Sequence, residues 1–108
     1  MTINIAKDFS ETPGGRFITE GPFSGEDFRI RLLSPMYIEA VDKGEKLTIE
    51  FDGCYGYATS FLEEAFGGLV RERREKGIIR NMVFISNDDV TVPKLIEKYV
   101  ANAEEEIK

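Results

Sequence analysis

Thr59 and Ser60 stand where a loop rich in glycine and tyrosine, GCYGYAT over residues 53–59, meets an apolar helical pattern. Ser60 is followed three residues later by Glu63, which fits a capping box. The serine hydroxyl takes an orphan backbone N–H, and the glutamate reaches back to the serine N–H. Tyr55 and Tyr57 flank Gly56 just before this helix. Exposed, they would anchor a protein interface, because tyrosine is enriched in binding hot spots. The alternative is that one or both pack down on the sheet edge. Arg16 follows the turn TPGG, and Arg29 lies in the first turns of a second helical pattern. With Gly15 and Gly25 they could form an anion pocket of guanidinium forks and backbone N–H groups. The alternative is that each arginine pairs with a nearby carboxylate, and the glycine spacing is neither a P-loop nor a dinucleotide fingerprint.

Other reactive side chains read as structural. Glu63 and Glu64 are adjacent, so on a helix they do not face each other as an acid/base pair. Asp88-Asp89 precedes a helix and reads as a turn plus cap. RERREK, 71–76, reads as a solvated helix face with basic character toward the helix C-terminus. Histidine is absent and Cys54 is the single cysteine. That removes the commonest general base and metal ligand, and it excludes an intramolecular disulfide. No nucleophile–base pair or metal cluster is legible, so neither an enzyme nor a metal or cofactor is expected. Without a base beside it, Cys54 reads as inert.

The elements that must position these residues follow from hydrophobic periodicity. TINIA, 2–6, and RFITE, 16–20, read as strands joined by the TPGGR turn. Ser24 is an N-cap for a helix over 26–42, with a break or strong kink at Pro35 and Gly44 just past its end. KLTIEFDG, 46–53, alternates as a half-buried strand. A helix over 60–76 follows, with Phe61, Leu62, Ala65, Phe66, Leu69 and Val70 on one face. Gly67-Gly68 sits inside it, and each glycine costs about 1 kcal/mol relative to alanine there. Close approach to a sheet or neighbouring helix is the ordinary reason, and a hinge is the sharper one. MVFIS, 82–86, reads as a short buried strand. A last helix starts near Asp89 or Thr91 and frays over AEEEIK. The order is β-β-α-β-α-β-α, which predicts an α/β fold with a mixed sheet and helices packed on it.

Length and charge bound the function. The chain has 108 residues, so residues 1–108 are expected to form one domain. Its hydrophobic content of 42% supports a core. A net charge of −6 argues against a general nucleic-acid or membrane-surface binder, which needs clustered Lys and Arg. No stretch has membrane-spanning length, and MTINIAKDF has no leader pattern, so a cytoplasmic location is the expectation.

One pattern extends beyond local chemistry. IEFDG leads through a short loop into a helix opening on Thr-Ser and carrying a Gly-Leu pair. This resembles the STAS domain of bacterial anti-sigma factor antagonists. With PGGRF, GPFSGEDFR and SFLEEAFGGLV it is similar to a STAS-like domain family of unknown function, over roughly residues 13–86. The resemblance implies a STAS-like fold. It also implies a non-enzymatic intracellular regulatory domain whose partner is an ATP-binding kinase of the anti-sigma type. Ser60 aligns with the serine phosphorylated in anti-sigma factor antagonists, and Thr59 stands where they carry aspartate. Phosphate there would meet a helix N-terminus, opposed by Glu63 and Glu64. The implied partner surface is Tyr55, Tyr57, Thr59, Ser60 and Glu63. The competing function is a nucleotide or other anion sensor built on Arg16, Arg29, Gly15 and Gly25.

Overall fold

The computed structural model describes residues 1–107. Strand β1 (Thr2–Asn4) runs into a short helix, α1 (Ile5–Asp8). Asn4 ends the strand early because its Oδ1 accepts from the Lys7 N–H, 3.1 Å, while Asp8 accepts from the Asn4 N–H, 2.8 Å. This reciprocal cap starts a helix where the pattern predicts two more strand residues.

The strand expected over 16–20 is a 3₁₀ turn, Ile18–Glu20. One glutamate side chain explains it. Glu20 Oε1 accepts from the backbone N–H groups of Arg16, 3.0 Å, and Phe17, 2.7 Å. A side chain that satisfies these donors locally removes the need for a sheet partner. Without that strand the sheet is parallel throughout, in the order β1-β2-β3.

Ser24 caps α2 (Gly25–Phe28) by accepting from the Asp27 N–H, 3.0 Å. A π-helical segment, Arg29–Leu33, continues directly into α3 (Ser34–Lys43). The break expected at Pro35 is not made. Dihedral angles stay helical through Leu33 and Ser34, and the Ser34 N–H reaches back five residues to the Arg29 carbonyl. A wider turn takes up a proline that has no N–H to give. Gly44 closes α3 at φ 69°, a left-handed position that favours glycine.

Strand β2 (Leu47–Glu50) is central. It leads through the loop 51–58 to α4 (Thr59–Leu62), a second π segment (Glu63–Gly67) and α5 (Gly68–Arg73), wound as one helix. A 3₁₀ turn, Ile78–Asn81, precedes β3 (Met82–Ile85). Helix α6 (Val92–Glu105) runs into the first half of the AEEEIK tail that was expected to fray and ends at Glu105.

Ile3, Leu47, Ile49 and Phe51 face one side of the sheet and are buried with Phe28, Phe61, Phe66, Leu69, Ile96 and Val100 from the helices. The other side is open. Register places Thr2, Thr48 and Val83 in one row and Asn4, Glu50 and Ile85 in the next. Val83 and Ile85 are exposed, so β3 is a half-exposed edge strand and not the buried strand expected. The α/β class with helices packed on one sheet is the architecture observed. No helix among the described residues is long and apolar enough to cross a membrane.

Candidate functional site

Three parallel strands end together, so the segments that follow them meet at the carboxyl end of the sheet. Ligands of open parallel sheets bind at that end. The loop after β2 and the loop after β3 are clamped by Asp52. Its carboxylate accepts from the backbone N–H groups of Asn87, 2.7 Å, and Asp88, 2.8 Å, and from Asn87 Nδ2, 2.9 Å. Asp88 returns the contact by accepting from the Gly53 N–H, 3.0 Å. The Asp88 backbone bond, followed by those from Asn87, holds Asp52 below the usual carboxylate range. The segment after α1 joins at one point, where the Tyr55 N–H donates to the Glu11 carbonyl, 2.9 Å.

The two tyrosines of this loop part company. Tyr57 turns inward. Its hydroxyl donates to the Phe51 carbonyl, 2.8 Å, and lies 3.0 Å from Cys54 Sγ. Its ring packs edge-on against Phe51, with centroids 5.4 Å apart. Burial first, then the contact with Cys54, pushes the phenol far above its ordinary value. Burial also pushes the Cys54 thiol up, which disfavours the thiolate. Tyr55 is 85% exposed with its backbone pinned. Val90, on the neighbouring loop, is 72% exposed.

The helix that follows does not begin as its sequence predicts. Ala58 is the N-cap, with extended dihedrals, and no side chain caps it. Its carbonyl accepts from the N–H groups of Phe61 and Leu62. Thr59 and Ser60 are the first two helical residues, Thr59 exposed and Ser60 half-buried. The capping box of Ser60 and Glu63 is therefore absent, because Glu63 points away to two arginines. Arg16 meets its Oε1 at 2.5 Å, and Arg71 holds both oxygens at 2.8 and 3.1 Å. Burial pushes the Glu63 carboxyl up, but the hydrogen bonds from Arg71 and Arg16 outweigh it and hold it below the usual range.

Arg16, Arg29, Gly15 and Gly25 are brought together, and carboxylates lie between the two guanidinium groups. Glu64, buried, is 3.0 Å from Arg29 and 3.5 Å from Arg16. Arg29 also pairs with Glu72, 2.8 Å, which takes a further bond from the buried Ser34 hydroxyl. These partners come from the other long helix, not from the local acids expected. The Gly25 N–H donates to the Gly15 carbonyl, 3.0 Å.

The same interface explains the helix glycines. A Cβ on Gly25 would stand 2.5 Å from the Phe61 carbonyl oxygen. One on Gly68 would meet Arg29 Nε at 2.7 Å, and one on Gly67 would meet Glu63 Oε2 at 2.5 Å. Close approach of a neighbouring helix thus accounts for Gly68, whereas at Gly67 only side chains of its own helix stand near. Their lack of side chains leaves room for the ion pairs that tie Arg16 and Arg29 to the helix begun by α4.

Val90 and Asp52 belong to the exposed end of the sheet, and sequence reading passes over both. The available signal was that IEFDG and VFISNDD each put an acidic residue just after a strand, a meaning that requires parallel strands. Arg71 was read as solvated, and its reach back to Glu63 spans eight residues, beyond the usual helix pair spacing. Comparison with curated proteins and with solved structures gives no match. A family model described as a STAS-like domain of unknown function (DUF4325) matches residues 24–91, from the Ser24 cap through all of β2, α4, α5 and β3. That span covers most of the chain and both halves of the glycine-lined interface, and the chain belongs to this STAS-like family.

Proposed function

We propose that this STAS-like domain is a non-catalytic, intracellular protein-interaction module, and that its contact surface is the loop before α4 together with the start of that helix. The observation that carries this reading is Tyr55, an aromatic residue 85% exposed on a loop whose neighbours are pinned by Asp52, Asp88 and Glu11. A large side chain held on an ordered backbone loses little entropy on binding. Tyr57 supports the surface from beneath. Thr59 and Ser60 border it.

Phosphorylation of Thr59 or Ser60 is the proposed switch, and an ATP-binding kinase of the anti-sigma type is the proposed partner. Two features favour it. The uncapped helix start offers backbone N–H groups to an anion. The charge of Glu63, which would repel a phosphate, is answered by Arg16 and Arg71. The anion-sensor reading has no observation in its favour, since Arg16 and Arg29 already hold Glu63, Glu64 and Glu72. Incubating the purified chain with its own cell lysate and ATP, then locating phosphate by mass spectrometry, tests the switch. Phosphate on Thr59 or Ser60 is expected. A chain that acquires none, or acquires it only elsewhere, contradicts the switch.

A further inference from the structure

The sheet has two edges, and the chain closes only one of them. On β1 the Thr48 N–H donates to the Met1 carbonyl, so alternation turns the backbone groups of Thr2 and Asn4 outward. The Asn4 N–H is taken there by Asp8, 2.8 Å, and the strand passes into helix at Ile5. On β3 the Phe51 N–H donates to the Ile85 carbonyl, so Val83 and Ile85 direct their backbone groups at β2. Those of Met82 and Phe84 therefore point outward. The Met82 N–H is used by the Ile79 carbonyl of the preceding turn. The Met82 carbonyl and both backbone groups of Phe84 meet no partner off the sheet among the described residues. Folded proteins blunt such an edge with charge, proline or a bulge. Met82-Val83-Phe84-Ile85 carries none of these, and Val83 and Ile85 are exposed.

The strand complements itself when read backwards. Arg80 lies as far before Phe84 as Asp88 lies after it, and both are exposed. Neither forms an ion pair among the described residues. A two-fold axis through Phe84 sets the Arg80 position of one copy opposite the Asp88 position of the other, twice. Glu45 also stands at the amino end of β3, where its carbonyl accepts from Asn81 Nδ2, but it lies on the side of β2, away from the open edge. A parallel alignment of the same two strands would set like charges together. The same axis pairs Phe84 with Phe84 as a hydrogen-bonded pair, each N–H donating to the other carbonyl. Val83 then faces Ile85 of the second copy as a non-hydrogen-bonded pair, in which side chains approach more closely. Pairs of β-branched residues across strands are stabilising.

We propose that two copies of this chain pair through β3, antiparallel about a two-fold axis at Phe84, and join their three-stranded sheets into one. The occupant is a second copy because one strand supplies both sides of every match: outward donor with outward acceptor, Val83 with Ile85, and Arg80 with Asp88. The contact is isologous, so it closes at the dimer. It stands independently of the Tyr55 loop, which lies after β2 and not on this edge.

Sedimentation velocity on the full chain, taken to its highest soluble concentration, tests this. The weight-average mass is expected to rise with concentration to that of a dimer and no further. Two double variants alter only the exposed side chains Val83 and Ile85, and circular dichroism checks that each folds. Val83→Lys with Ile85→Lys sets like charges opposite each other across the axis, and this chain is expected to stay monomeric. Val83→Lys with Ile85→Glu sets opposite charges there, and this chain is expected to keep the dimer. Arg80→Glu is expected to weaken the dimer at low salt, since it faces Asp88 with a like charge. In hydrogen exchange the Phe84 amide should gain protection as concentration rises. A wild-type chain that is monomeric throughout overturns the proposal, including one that binds a foreign protein through this edge. A dimer that survives Val83→Lys with Ile85→Lys, or one formed with no gain in protection at Phe84, places the contact elsewhere and also overturns it. So does a mass that grows past the dimer.

Discussion

Ser24 and Ser60 both stand at helix starts, each followed by acidic residues, yet only Ser24 caps. Ser24 is fully buried with its hydroxyl on the Asp27 N–H, so Ser24→Ala should lower stability by about 1 kcal/mol in urea unfolding. Ser60→Ala should change it by no more than roughly 0.5 kcal/mol, as for residues away from such features. Equal losses in the two variants would return Ser60 to the role its sequence predicts. The local pattern could not separate them, because the choice of N-cap lies in the extended dihedrals of Ala58, one residue past the anchored Tyr57. Glu63 gives a second prediction. Its carboxyl is held below its unfolded value, so the unfolded chain binds the extra proton as acid is added. The Glu63 contribution is therefore complete above the ordinary glutamate range, about pH 4.3. It is lost as pH falls through the lower folded value. Glu63→Gln should flatten the acid side of the stability profile, read as urea midpoints at stepped pH. An unchanged profile would show that the arginine pairs contribute nothing there.

Between elements, the decisive contact is α2 against the helix begun by α4. A methyl group on Gly25 meets a backbone carbonyl, which cannot swing aside. Gly25→Ala should destabilise by about 1–3 kcal/mol or more, as overpacking does. A methyl group on Gly68 meets the Arg29 guanidinium, which also holds buried Glu64. That displacement should outweigh the gain of about 1 kcal/mol in helix propensity. On Gly67 the obstruction is the tip of Glu63, a flexible group, so Gly67→Ala should cost least. Denaturant melts of the three variants check this order, and Gly67→Ala as the worst of them would contradict it. The apolar periodicity of α3, α5 and α6 was legible because burial on one face repeats every helical turn. RFITE was misread because alternation alone cannot show that Glu20 captures the N–H groups of residues 16 and 17. The break at Pro35 was misread for a related reason. A π segment widens the turn before the proline, and propensity carries no signal for it.

At the scale of the molecule, the α/β class and the STAS-like resemblance were readable from strand and helix alternation and from the SGEDFR and SFLEEAFGGL segments. The parallel sheet was not, because it depended on the single misread strand. Strand direction is what collects the loops after β1, β2 and β3 at one end. Tyr55 was legible as a residue, but its exposure was not. Its loop alternates inward and outward side chains only because Tyr57 finds the Phe51 carbonyl. The central claim is that this loop is a protein-contact surface anchored by Tyr55. The most direct measurement is affinity capture from the native lysate on immobilised wild-type chain and on Tyr55→Ala, with proteins quantified by mass spectrometry and both chains shown to be folded. The account predicts a protein held by the wild type and depleted at least tenfold on Tyr55→Ala, since a hot-spot loss of about 2 kcal/mol exceeds a tenfold change in affinity. The same proteins retained equally by both chains would contradict it.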